Sequence, residues 1–207
     1  MGDIIVESWA RDRTQFIVDP IAKVMANVGI SANAITVVSF LLNVVAAVAI
    51  ALGYPLWGGL LMGLIAMPLD AIDGTVAEFL GQRNQFGAFF DSVFDRFSEA
   101  SILIGIAALS LQRQDDLTVL LCLVALLGSL MVSYTRARAE GLGIECKVGW
   151  FSKTPRVIVV ATGLILNRLA IAIPVLAVVS FLTAFHRIIH VYLVTHPTSE
   201  DSGVARG

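Results

Sequence analysis

The chain has little charge. Asp, Glu, Lys and Arg make up 14% of its 207 residues, against 57% hydrophobic, whereas an ordinary soluble domain carries about 25% charged residues to face water. That shortage excludes a soluble globular protein. The formal net charge of −2 excludes the basic excess of a nucleic-acid binder. Cysteine is scarce too. Cys122 and Cys146 have no metal or redox spacing, and no disulfide is expected. His186, His190 and His196 likewise lack metal-site spacing. The first thirty residues contain Asp3, Glu7, Asp12 and Asp19 and no uninterrupted apolar core, so no cleavable signal peptide is expected and the first span is taken to direct insertion. Nor is there an internal repeat or a second domain.

Long apolar runs are what the chain does have. A membrane-spanning helix needs about 20 mostly apolar residues. Six candidates stand out, at about Ala34–Leu52, Leu56–Phe79, Ala88–Leu111, Leu117–Thr135, Pro155–Leu166 and Ala170–Val194, the fifth being short. The expected fold is therefore all-α and integral to a lipid bilayer. It is a single domain over 1–196, with a juxtamembrane segment 1–33, a six-helix bundle 34–194 and a polar, disordered tail 197–207. Residues 3–24 alternate apolar and charged positions (Ile4, Ile5, Trp9, Phe16, Ile17 against Glu7, Arg11, Asp12, Arg13) and read as an amphipathic helix in the interface. Of the 14 Lys and Arg, all but Arg113 and Arg168 fall on the side that holds both termini. The positive-inside rule then puts the termini in the cytoplasm of a multi-pass cell-membrane protein. Gly58, Gly59 and Gly63 suggest close helix packing and a possible homodimer face.

Two pairs of aspartates interrupt this apolar background. Asp70 and Asp73 close the second run, and Asp91 and Asp95 open the third. Spacings of i,i+3 and i,i+4 put each pair on one helix face. Acids at membrane depth are costly and mark functional sites by default. Carboxylates this close resist joint ionisation unless a cation sits among them. An all-oxygen site calls for a hard divalent ion, Mg²⁺ or Mn²⁺, one or two of them.

The full pattern, Asp70-x₂-Asp73-Gly74-x₂-Ala77-x₉-Gly87-x₃-Asp91-x₃-Asp95, resembles the signature of the CDP-alcohol phosphotransferases, integral-membrane enzymes of phospholipid head-group synthesis. Asn33-Ala-Ile-Thr36 is similar to the family's Pro-Asn-x-Ile-Thr at the start of the first span, with Ala32 for Pro. The resemblance implies metal-dependent transfer of a phosphatidyl-type group from CDP-diacylglycerol, or an archaeal CDP-lipid, to an alcohol, with release of CMP. It makes Asp70, Asp73, Asp91 and Asp95 the ligands of two metal ions and Asp95 also the general base. It gives Asn33, Asp70, Asp73, Gly74, Ala77 and Gly87 to the CDP-lipid. Gly74 and Gly87 leave room for close backbone approach. One position departs: the family's Arg after the alanine is Glu78 here. Three explanations stay open: Arg83 in the same turn supplies the charge, Glu78 points away from the site, or activity is reduced or lost.

The stretch from Ser133 through Arg136-Ala-Arg138-Ala-Glu140 resembles the family's phosphatidylinositol phosphate and archaetidylinositol phosphate synthases. Their acceptor is inositol 1-phosphate. By that resemblance Arg136, Arg156 and Arg187 take the acceptor phosphate, with Arg138 and Lys153 as further candidates, since Arg forks suit phosphate. The subgroup's Glu-Arg-x-Glu-Arg is replaced by Ser152-Lys153-Thr154-Pro155-Arg156, which keeps glycerol 3-phosphate as the alternative acceptor. A non-catalytic CDP-lipid-binding homologue and an acid-lined transporter are the rival classes. Near the motif, Arg96 either pairs with Glu99 at i,i+3 or tunes the neighbouring Asp95, and Ser39 and Asn43 are expected to bond between helices.

Overall fold

The computed structural model describes residues 18–81, 84–149 and 151–196. The expected interfacial helix over 3–24 lies mostly outside them, as do Arg83, Trp150 and the tail 197–207. Among the described residues the structure is entirely helical: α1 over 18–27, α2 Ala32–Ala51, α3 Pro55–Phe79, α4 Gln85–Gln112, α5 Asp116–Glu140, α6 Lys153–Ile165 and α7 Leu169–Thr195.

Helices α2, α3, α5 and α7 are long and apolar enough to cross a membrane. The outcome is thus an all-α membrane protein with four such helices among the described residues. The other two expected spans fall short for physical reasons. Helix α4 has 28 residues but carries Asp91, Asp95, Arg96 and Glu99 among its first fifteen. Helix α6 has 13 residues, which rise about 20 Å at 1.5 Å each, short of a hydrocarbon core of about 30 Å. Helix α5 runs past its expected end at Thr135. Arg136 and Arg138 therefore sit on helix, where Arg136 Nε donates to Glu140 one turn on at 2.8 Å.

Local chemistry sets the helix ends. Ser31 accepts the Ala34 amide at the start of α2, Asn84 Oδ1 accepts the Gly87 amide at 2.7 Å, and Asp115 accepts both the amide and the hydroxyl of Thr118. Those two donors hold the exposed Asp115 carboxyl below its ordinary value. Within α3, Leu61–Ala66 is wound as a π-helix just before Pro68. Proline has no amide to donate and crowds the carbonyl four residues back, so the wider turn relieves the clash. It also sets the rotation at which Asp70 and Asp73 leave the helix.

Small residues let the helices close on one another. A Cβ on Gly105 of α4 would lie 2.5 Å from the Ala47 carbonyl oxygen of α2, and one on Gly59 of α3 would lie 2.8 Å from Leu164 Cβ of α6. Gly58 packs on Ile50 of α2 and Gly63 faces Ala161. The glycines considered for a homodimer face are thus used within the chain. Around these contacts Ile50, Leu103, Ile106, Leu164, Ile173 and Leu176 form the buried core. Leu41, Val45, Leu120, Leu123, Val178 and Leu182 point outward and exposed, as lipid-facing surface requires. Phe94 of α4 meets Phe40 of α2 edge to face at 5.2 Å. Ser39 donates to the Ala66 carbonyl of α3 at 3.0 Å, the expected interhelical bond, whereas Asn43 bonds back to Ser39 in its own helix. An amide donor at i can reach the i−4 carbonyl, so Asn43 needs no neighbouring helix.

Candidate active site

The two aspartate pairs meet where α3 ends and α4 begins. Carboxylate oxygens of Asp70, Asp91 and Asp95 lie within 4.8 Å of one another. That spacing and an all-carboxylate donor set fit a hard divalent cation. Asp73 is buried one turn from Asp70, and the Thr36 hydroxyl of α2 donates to its Oδ2 at 2.7 Å. The same hydroxyl lies 3.1 Å from the Ala32 carbonyl, so α2 orients this carboxylate through its own first turn.

A cavity of about 730 Å³ adjoins the cluster, lined by Ser31, Asn33, Thr36, Asp73, Gly74, Ala77, Asn84, Gly87 and Asp91. Every described residue assigned to CDP-lipid by resemblance lines it except Asp70, which sits in the cluster beside it. The glycines behave differently. A Cβ on Gly74 would meet nothing within 4 Å, so this position opens onto the cavity, whereas one on Gly87 would sit 3.5 Å from Asn84 Oδ1 and 3.7 Å from Asn33 Oδ1. Glu78 lies exposed near the C-terminal end of α3. Arg83, one of the candidates to replace the missing arginine, is outside the described residues.

Cations come to the cluster from two directions. Lys153, the first residue of α6, donates to Asp70 Oδ2 and to Asp95 Oδ1 at once. Arg96 Nη1 lies 3.1 Å from Asp95 Oδ2 and 2.9 Å from the Ser92 carbonyl. Arg96 therefore adjoins the cluster and does not take Glu99. Glu99 instead faces Arg156 of α6, with Nε 3.0 Å from Oε1 and Nη2 3.3 Å from Oε2. The Nε contact is an ion pair without hydrogen-bond alignment.

The basic residues named for the acceptor phosphate do not converge. Arg156 is buried against Glu99. Arg187, equally buried in α7, donates to the Val132 and Val148 carbonyls and so ties α5 and the following loop to α7. Arg136 pairs with Glu140 on the exposed end of α5, and Arg138 is exposed beside it. Lys153 alone among them touches the aspartates. Sequence reasoning missed three links: Thr36 to Asp73, Lys153 to Asp70 and Asp95, and Glu99 to Arg156. The partners are 37, 83, 58 and 57 residues apart, beyond any helical periodicity, and only the Asn-x-Ile-Thr motif hinted at the first.

Residues 29–193 match the family model described as CDP-alcohol phosphatidyltransferase. An archaetidylinositol phosphate synthase of Pyrococcus horikoshii is 34% identical over 182 residues, covering 87% of this chain and 94% of that protein. The crystal structure of Mycobacterium tuberculosis phosphatidylinositol phosphate synthase with CDP-DAG bound superposes with a TM-score of 0.79 at 27% identity, covering 85% of this chain and 94% of the other. The same enzyme in complex with manganese and citrate gives a TM-score of 0.79 at 26% identity, covering 84% of this chain and 88% of that one.

Proposed function

The chain belongs to the CDP-alcohol phosphatidyltransferase family, and on that premise we propose that it transfers a phosphatidyl-type group from a CDP-linked lipid to inositol 1-phosphate, releasing CMP. The observation that carries this reading is the convergence of Asp70, Asp91 and Asp95 beside a cavity floored by Asp73 and Gly74. An ion pathway has no need of that cavity. The relatives' activity supports the acceptor: the Pyrococcus horikoshii protein is an archaetidylinositol phosphate synthase and the Mycobacterium tuberculosis protein a phosphatidylinositol phosphate synthase.

The oxygen of the acceptor hydroxyl attacks the lipid-side phosphorus of the diphosphate. The bond from that phosphorus to the bridging oxygen breaks, and CMP leaves with the electron pair. Asp95 takes the hydroxyl proton. Asp70, Asp73, Asp91 and Asp95 would hold Mg²⁺ or Mn²⁺, two ions being the reading adopted here, which when bound neutralise charge on the diphosphate and the departing CMP. Asn33, Gly74, Ala77 and Gly87 line the space for the nucleotide, with Arg83 nearby in sequence. For the acceptor phosphate the exposed Arg136 and Arg138 and the site-facing Lys153 supply positive charge, whereas Arg156 and Arg187 stay buried on Glu99 and on backbone carbonyls and serve the fold. No covalent enzyme intermediate is invoked, because no Ser, Cys or His within the motif stands as a nucleophile. We take both termini and the aspartates to face the cytoplasm, on the bias of Lys and Arg.

The test is CMP release by the purified protein in detergent with CDP-diacylglycerol and Mg²⁺. Inositol 1-phosphate, glycerol 3-phosphate, inositol and serine are supplied one at a time. Release with inositol 1-phosphate, lost on Asp95→Asn, is expected. Release with glycerol 3-phosphate alone would transfer the protein to the alternative acceptor, and release with none of them would refute the assignment.

A further inference from the structure

Asp95 presents no free oxygen. Its Oδ1 receives the Lys153 ammonium and its Oδ2 receives Arg96, while the same ammonium also holds Asp70 Oδ2. Two of the three carboxylates that cluster within 4.8 Å are thus already bridged by one positive charge. A divalent ion shared by Asp70 and Asp95 needs the space and the lone pairs that the ammonium occupies. The two cations are mutually exclusive there, by charge repulsion as much as by volume. Arg96 is held in place by the Ser92 carbonyl of its own helix. Lys153 is held at the carboxylates alone, on a flexible four-carbon stem at the first turn of α6.

We propose that Lys153 is a tethered counter-ion of the aspartate cluster, which masks Asp70 and Asp95 until a divalent cation displaces it. Its role is positioning and gating. While the ammonium is seated it neutralises carboxylates that would otherwise repel one another at the mouth of the bundle. When it leaves, the oxygens of Asp70 and Asp95 that it bridged are open to the ion. The inference rests on the metal-site reading above, and the measurements below separate failure of one from failure of the other.

The experiment is Mn²⁺ binding to the chelator-stripped protein in detergent, read by the loss of free-ion electron paramagnetic resonance signal, for wild type, Lys153→Gln and Asp91→Asn. Removing the competitor, with its two charge-assisted hydrogen bonds, should tighten Mn²⁺ about tenfold or more in Lys153→Gln, while Asp91→Asn should weaken it. Unchanged or weaker Mn²⁺ binding by Lys153→Gln, with Asp91→Asn still weakened, would overturn the proposal and leave the metal site standing. Unchanged binding by Asp91→Asn would remove the metal site itself. A second measurement needs no variant: reductive methylation of wild type, read by mass spectrometry. Mn²⁺ should raise the labelling of Lys153 several-fold and leave Lys147 unchanged, since Lys147 pairs with Glu145 on an exposed loop. Equal or slower labelling of Lys153 with Mn²⁺ would count against displacement, whatever the fate of the Gln variant.

Discussion

Thr36→Val tests how the site is held. Valine keeps the shape of threonine and removes one hydroxyl. That hydroxyl is 2.7 Å from Asp73 Oδ2, with Thr36 4% and Asp73 6% exposed, so few solvent positions compete with it. A hydrogen bond to a charged group contributes about 1.5–3 kcal/mol. At 1.36 kcal/mol per decade this is roughly a 10- to 150-fold fall in kcat/KM, if the bond's full worth is used to hold Asp73 against metal and diphosphate. The loss should appear in KM for CDP-diacylglycerol and in the Mg²⁺ concentration needed for half-maximal rate. KM for the acceptor should barely move, because Thr36 lines the cavity proposed for the nucleotide. Thr36→Ser keeps the donor and should stay within about threefold of wild type, the rest being a lost methyl group. The assay is CMP release across matrices of CDP-lipid and Mg²⁺. Full activity and an unchanged Mg²⁺ requirement in Thr36→Val would refute the argument that this hydroxyl positions the carboxylate. A loss shared equally by Val and Ser would trace the effect to packing.

Three further outcomes follow from other contacts. Arg156→Ala strips the partner from the largely buried Glu99 and should cost about 3 kcal/mol, the low end for a broken buried pair because Glu99 keeps some solvent; a thermal-unfolding midpoint equal to wild type would show the pair to be dispensable. Gly105→Ala drives a methyl to 2.5 Å from the Ala47 carbonyl oxygen and should destabilise by about 1–3 kcal/mol as overpacking, with Gly105→Val worse; denaturation in mixed micelles measures both. Asp115→Asn keeps a cap and removes the charge. The Asp115 carboxyl is held low by Thr118 in the folded state, so its stabilisation is present above the unfolded value and lost as pH falls through the folded one. Wild-type stability should therefore drop more steeply than that of Asp115→Asn on acidification, and parallel pH profiles would refute this.

Much of this protein is legible in one dimension because its determinants are local. Apolar runs announce membrane helices since lipid leaves the backbone no partner but itself. The i,i+3 and i,i+4 aspartates announce a polar face on two consecutive helices, and the glycine and alanine between them announce room beside it. In the fold Gly74, Ala77 and Gly87 line the cavity beside Asp73. Tertiary structure decided what one dimension cannot hold. It wound the turn before Pro68 as a π-helix. It ran α5 on through Arg136 and Arg138, and it spent Gly58 and Gly59 on packing within the chain. It also chose the partners of the charges. From the sequence Arg96 stood equally between Glu99 and the cluster; in the fold Glu99 belongs to Arg156, because the first turn of α6 carries that side chain to it. Lys153 and Thr36 reach the aspartates across 37 to 83 residues of chain. A helix period relates residues a turn apart, whereas a metal site is made by helix ends that meet in space, and which end meets which is a property of packing alone.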